Sequence, residues 1–207
     1  MNYESLIFDI DGTLWDSRAL VAKGYNIQLK KEGLEHLSVT AEDLRPLFGK
    51  TMTEIADILF VSIPREDRYD LMNRCMESEN VLLHADPCNM GYPAVRETMA
   101  ELAKNHRLFI VSNSQCGYPE LCMEKMGLTP YIQGHMCCGD TGTSKGKTIR
   151  TLMAKHGIEN AVYIGDTQGD YEATVEAELP FIWCSFGFGN PEGYAAKIDT
   201  FEQLLNL

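Results

Sequence analysis

Leu6-Ile7-Phe8-Asp9-Ile10-Asp11-Gly12-Thr13 carries the reading of the fold. Leu6 to Phe8 is a short continuous apolar run, the pattern of a strand covered on both faces in a parallel sheet. It ends in two carboxylates one residue apart. Side chains alternate along a strand, so Ile10 points away while Asp9 and Asp11 share a side, at the end of the sheet where open α/β folds bind their ligands. Gly12 permits a sharp turn out of the strand, and the Thr13 hydroxyl can hydrogen-bond a ligand or the local backbone. A solvated Asp-Gly turn is the competing reading, and residues further along the chain decide between the two.

Four more segments have strand character. Leu108 to Val111 ends in Ser112-Asn113-Ser114, and Ile132 to Cys138 is a weaker strand. Val162 to Ile164 ends in Gly165-Asp166, and Phe181 to Cys184 ends near Ser185 and Gly187. Helical stretches fall between them, around 92–105, 117–126, 145–156 and 169–178. Alternating strands and helices predict a doubly wound parallel sheet, with no internal repeat or low-complexity tract.

That rhythm breaks between Asp16 and about Leu83, where helix signals replace strands. Thr51 with Glu54 fits a capping box, Thr40 precedes Glu42 and Asp43 in a first turn, and Pro64 can open a helix toward Asn80. The expected organisation is therefore an α/β core of residues 1–15 and 84–207, with an all-helical insertion over 16–83. A segment inserted directly after the first strand emerges beside the ligand crevice and is placed to act as a lid. A helical elaboration without a gating role is the alternative.

Composition narrows the function. The chain of 207 residues is long enough to bury a sizeable core. A formal charge of -12 opposes binding to nucleic acid or to an anionic membrane, both of which need clustered Lys and Arg. No stretch approaches the roughly 20 apolar residues that cross a bilayer, and Met1 to Ser5 lacks the basic start and apolar middle of a signal peptide. A cytoplasmic protein is expected. The seven cysteines form no CxxC pair and no zinc spacing, so they read as reduced thiols.

The downstream strand ends turn the first motif into a constellation. Ser112 and Asn113 offer a hydroxyl and backbone N–H groups to an anion's oxygens. Lys145 is a point cation at the start of a helix, suited to bridging a phosphate and a carboxylate, and Lys147 is the alternative. Asp166 and Asp170 add two carboxylates. Taken singly, these residues read as helix caps or a solvated lysine; together, each at a strand's end, they point to one site. Gathering Asp9, Asp11, Asp166 and Asp170 beside a phosphate is repulsive by about 4 kcal/mol per close pair at an effective dielectric near 20, which calls for a divalent cation. Gly142 to Thr148 nearly spells a P-loop, but that motif needs Gly where Thr141 stands.

Through Asp9-Ile10-Asp11-Gly12-Thr13, Ser112 after Leu108-Phe109-Ile110-Val111, Lys145, and Gly165-Asp166 with Asp170, the chain resembles the haloacid dehalogenase superfamily, in its phosphoglycolate phosphatase-like branch. The resemblance implies a Rossmann-like core of strand order 3-2-1-4-5 with a helical cap inserted after the first motif. The short span from Ser112 to Lys145 leaves no room for the larger second cap of some members.

The resemblance also assigns roles. Asp9 would be the nucleophile that forms an aspartyl phosphate, and Asp11 the acid that protonates the leaving group and then the base that deprotonates water. Mg2+ would be held by the Asp9 and Asp166 carboxylates and the Asp11 backbone carbonyl, with Asp170 behind them orienting a metal-bound water or Lys145. Gly12, Thr13, Ser112, Asn113 and Lys145 would bind the phosphate. Asp11 argues against carbon–halogen cleavage, because a departing halide needs no proton.

The expected function is a Mg2+-dependent phosphatase for a small phosphorylated metabolite. A sugar phosphomutase on the same core is the alternative, and a non-catalytic phosphoester-binding protein the remote one. A phosphonate hydrolase would need a cap lysine such as Lys23 or Lys50 to form a Schiff base. Candidate substrate readers are Lys50, beside Arg45 and Thr51, and Gln115; Trp15 reads as packing near the hinge. Oligomeric state is not legible in the sequence.

Overall fold

The structure, a computed structural model, describes residues 2–87 and 90–207, so Cys88 lies outside the described residues. Six strands form one parallel sheet: β1 (Ser5–Phe8), β2 (Arg107–Ser112), β3 (Ile132–Cys137), β4 (Ala161–Gly165), β5 (Phe181–Cys184) and β6 (Ala196–Ile198). Their order is β3-β2-β1-β4-β5-β6. This is the expected order with one strand added at the edge. Ala196-Lys197-Ile198 has no apolar run to announce it, and it is ordered by pairing with β5. Conversely, the strand expected to reach Cys138 stops at Cys137.

Register explains why the site assembles at one edge. Phe8 lies opposite Ile110 of β2 and Ile164 of β4, so all three strands leave the sheet together, into Asp9, Ser112 and Asp166. β1 is the central strand, and Ser5, Leu6, Ile7 and Phe8 are all fully buried.

The helices are α1 (Arg18–Lys31), α2 (Ala41–Leu44), α3 (Met52–Leu59), α4 (Arg65–Ala85), α5 (Val95–Leu102), α6 (Tyr118–Met126), α7 (Cys138–Thr141), α8 (Lys145–His156) and α9 (Gln168–Ala177). Ile7, Phe109, Val111 and Tyr163 of the sheet pack with Ile149 and Leu152 of α8 and with Ala173 and Ala177 of α9. The helix expected from residue 92 starts at Val95, because Ala94 adopts a left-handed backbone at φ 59° and breaks the run there.

The chain divides into two compact units, Met1–Asp16 with Asn89–Leu207, and Ser17–Cys88. The second is built from α1 to α4, around Tyr25, Leu29, Leu44, Ile55, Phe60, Leu71 and Met72. α1 and α4 approach closely at Gly24, where a Cβ would lie 2.6 Å from the Glu79 Cα, so any larger residue would push the helices apart. α2 and α3 both open with complete capping boxes, Thr40 with Asp43 and Thr51 with Glu54. Each such cap contributes about 1 kcal/mol to a short helix. Among the described residues, no helix is long and apolar enough to cross a membrane.

Candidate active site

Asp9 follows β1 directly and is buried, its backbone N–H donating to the Ile164 carbonyl at 2.9 Å. Its Oδ1 accepts from Lys145 Nζ at 2.7 Å. Lys145 is the first residue of α8 and reaches a second carboxylate, Asp170 Oδ1, at 2.6 Å. Its ammonium also lies 5.7 Å from the centre of the Tyr163 ring. Burial alone would lower the Lys145 pKa, but Asp170 and Asp9 outweigh it and hold the ammonium well above its usual range. Lys147, in the same first turn of α8, is exposed.

Asp170 is the third residue of α9 and closes a capping box with Thr167. Its Oδ2 accepts from the backbone N–H of Asp166 at 3.1 Å, the backbone N–H of Thr167 at 2.9 Å and the Thr167 hydroxyl at 2.8 Å. Both oxygens are thereby engaged. Burial opposes its ionisation, yet Lys145 and the Thr167 donors keep its pKa below the ordinary carboxylate value.

Asp166 has no such compensation. Its Oδ2 accepts from the Phe188 backbone N–H at 2.6 Å, while its Oδ1 is buried with no hydrogen-bond partner. Burial, Asp170 and Asp9 push its pKa well up. Asp9 behaves likewise: burial first, then Asp170, raise it to about 7 against the pull of Lys145. Oxygens of Asp9, Asp166 and Asp170 lie within 4.8 Å of one another. Three buried carboxylates face one buried ammonium, so with all of them ionised two negative charges remain. A divalent cation among oxygen donors would balance them, and the orphaned Asp166 Oδ1 is a donor of the kind such an ion requires.

Gly12 shapes the turn beside this cluster. Its φ is +83°, and a Cβ there would overlap the Asp166 carboxylate, so only glycine lets the two segments meet. Thr13 is fully buried. Asp11 is half-buried, and its Oδ1 accepts hydrogen bonds from Trp15 Nε1 at 2.9 Å and from the Tyr118 hydroxyl at 2.8 Å. The two rings meet edge to face, with centroids 5.6 Å apart. Trp15, expected as packing, thus also orients a carboxylate.

Ser112 ends β2 and is buried, its hydroxyl accepting from the Ser114 N–H at 3.2 Å. Asn113 is half-buried, and its Oδ1 accepts from the Cys138 thiol at 2.8 Å. Gln115 is half-buried in the same connection. Lys50 is exposed between α2 and α3 of the helical unit, and the Thr51 hydroxyl is committed to its cap.

Two contributors had no signal in the sequence. Tyr118 lies 107 residues from Asp11, and nothing in the composition of α6 sets it apart. The Phe188 N–H is a backbone group, which no side-chain pattern marks.

Comparison with known proteins gives the family of the chain. The profile of the haloacid dehalogenase-like hydrolase family matches residues 6–184. A phosphoglycolate phosphatase of Agrobacterium fabrum is 27% identical over 192 residues, covering 88% of this chain and 80% of its own. The pyrophosphatase PpaX of Listeria monocytogenes is 26% identical over 196 residues, covering 92% of this chain and 87% of its own. Among solved structures, a haloacid dehalogenase-like family hydrolase of Streptococcus pneumoniae superposes with a TM-score of 0.81 at 16% identity, covering 99% of this chain and 97% of the other.

Proposed function

The chain belongs to the haloacid dehalogenase-like hydrolase family, and we propose that it hydrolyses a small phosphomonoester, phosphoglycolate-like in size and charge, through a phosphoaspartate on Asp9 with Mg2+ as cofactor. The observation that carries this reading is the pairing of Lys145 with Asp9 and Asp170 beside the unpartnered Asp166 Oδ1. It is a nucleophile held by a cation, next to a carboxylate awaiting one.

In this reading Lys145 fixes Asp9 through Oδ1, and Oδ2 attacks phosphorus in line with the departing ester oxygen. Asp11 donates a proton to that oxygen, and then accepts one from the water that attacks the phosphoaspartate. Trp15 and Tyr118 hold the Asp11 carboxyl in a single orientation for both steps. Ser112 and Lys145, with the backbone N–H of Asn113, hold the phosphoryl oxygens as their charge grows. Gly12 and Thr13, expected as phosphate binders, instead donate their N–H hydrogen bonds to the Trp15 and Ile10 carbonyls and shape the turn. The Asp9 and Asp166 carboxylates and the Asp11 carbonyl would hold Mg2+, which supplies charge neutralisation to the phosphoryl group. Asp170 fastens Lys145 and the turn after β4 in place. Residues 16–83, inserted directly after the strand that carries Asp9, take the role of a cap in this reading, and the substrate is a small metabolite of the cytoplasm.

The test is phosphate release from a panel of small phosphomonoesters, sugar phosphates and pyrophosphate, with Mg2+ and with EDTA, for wild type and Asp9→Asn. Selective release abolished by EDTA and by Asp9→Asn supports the reading. Conversion of one sugar phosphate into its isomer without release would replace it with a phosphomutase.

A further inference from the structure

Outside the carboxylate site, a second group of metal-ligating atoms comes together at the end of β3. Cys116 Sγ, Cys137 Sγ and a carboxylate oxygen of Asp140 lie within 4.8 Å of one another. They come from two stretches of backbone: the β2–α6 connection, which carries Cys116, and the junction of β3 with α7, where Cys137 ends the strand and Asp140 follows three residues on. We propose that Cys116, Cys137 and Asp140 form a binding site for a thiophilic divalent cation, Zn2+ in the first instance, distinct from the oxygen-only site around Asp9.

The hydrogen-bonding pattern supports this. The Cys137 thiol donates to Asp140 Oδ2 at 3.1 Å, and the Cys116 sulfur lies within 4.8 Å of both the Cys137 sulfur and an Asp140 oxygen. Two thiol protons thus sit beside one anion. A single divalent ion can take their place, each thiol giving up its proton to solvent as its sulfur ligates, while the carboxylate turns from acceptor to ligand. Two thiolates and one carboxylate are a zinc donor set, with the soft sulfurs that Mg2+ avoids.

The frame is already assembled. The Cys137 backbone N–H donates to Asp140 Oδ2 at 2.9 Å, closing the capping box of α7 and fixing the carboxylate over the strand end. The Gly139 N–H donates to the Ser114 carbonyl at 3.1 Å and ties α7 to the loop that carries Cys116. Cys137 is buried while Cys116 and Asp140 are exposed, so an ion can enter from solvent and keep a water as its fourth ligand. Burial of the site is partial, as a three-ligand centre with an open position requires.

The site is tested on the full chain, reduced and kept anaerobic, by titration with Cd2+, followed by thiolate-to-metal charge-transfer absorbance, and with Zn2+, followed by calorimetry in two buffers of different protonation enthalpy. One ion per chain is expected, with a charge-transfer band and about two protons released per ion. Cys116→Ser, at an exposed position that does not carry the fold, should cut the band to about half and weaken binding by about tenfold or more. Cys138→Ala, at a neighbouring thiol that points to Asn113, should leave both unchanged. Absence of a charge-transfer band, binding only at millimolar concentration, or binding that Cys116→Ser leaves intact would each overturn the proposal.

Discussion

The strand-built unit keeps Asp9, Asp166, Asp170 and Lys145 in its interior, whereas the interior of the helical unit, among the described residues, is apolar apart from Ser17 and Glu79. The ion pairs of the helical unit lie toward its surface: Arg74 with Glu32 at 2.6 Å, and Arg65 and Arg68 with Asp57. Exposed pairs contribute about 0–1 kcal/mol each, so that unit rests on its packed side chains. Buried charge is costly to hold, and in the first unit it is arranged so that compensation is incomplete: Asp170 has a partner for each oxygen and Asp166 does not. One unit is built for stability, the other keeps an excess of negative charge that a divalent cation can resolve.

Removing the buried cation puts the greatest strain on this contrast. Lys145→Met should destabilise the fold by about 3–5 kcal/mol, because Asp9 and Asp170 are left buried without their partner. It should also abolish turnover. A denaturant melt checks the first expectation, and a stability loss below about 1 kcal/mol would show that the pair is solvated. The matching cut in the helical unit is Leu71→Ala, expected to cost about 2–4 kcal/mol through loss of packing. Hydrogen exchange should place that loss in residues 17–88, and calorimetry should find Mg2+ affinity unchanged.

A pH series separates the two units in another way. Asp9 titrates at about 7 in the fold instead of 3.8, so between those values the folded state keeps a proton that the unfolded chain has lost. Stability of the metal-free protein therefore falls as pH rises from about 4 to about 7. Asp166, also raised, acts in the same direction, and Asp170, held low, titrates below the window. Thermal melts in EDTA should drop by several degrees across that range, and Asp9→Asn or added Mg2+ should flatten the slope. A flat profile for metal-free wild type would contradict the assigned burial.

The smallest effect expected is at Tyr118. Tyr118→Phe removes one of the donors to Asp11 Oδ1 and should slow hydrolysis of an alkyl phosphate by about tenfold, in line with a hydrogen bond to a charged group. Hydrolysis of p-nitrophenyl phosphate should change less, because its leaving group needs no proton. Equal loss on both substrates would assign Tyr118 a structural role only.

Much of this was legible in the chain because strand ends in a parallel sheet are marked locally. Leu6-Ile7-Phe8 before Asp9, and Val162 to Ile164 before Gly165-Asp166, announce both the strand and what it delivers. The capping box at Thr51 was equally readable, since Glu54 sits three residues on, and Thr40 was legible as a helix start before Glu42 and Asp43, where the structure closes a second box with Asp43. β6 was not, because Lys197 interrupts its pattern and pairing with β5 orders it. The Lys145 bridge had two candidates, Lys145 and Lys147, and the choice depends on which side of α8 faces the sheet. Tyr118 and the convergence of Cys116, Cys137 and Asp140 were hidden for the same reason: side chains distant in sequence meet only once the strands are in register.

The central claim is that Asp9 forms the covalent intermediate, and the direct measurement is acid-quenched single turnover followed by borohydride reduction and peptide mass spectrometry. Reduction converts an aspartyl phosphate to homoserine, so the account predicts homoserine at position 9 and at no other aspartate, dependent on substrate and Mg2+. Homoserine at a different position, or none at any position while phosphate is being released, would contradict it.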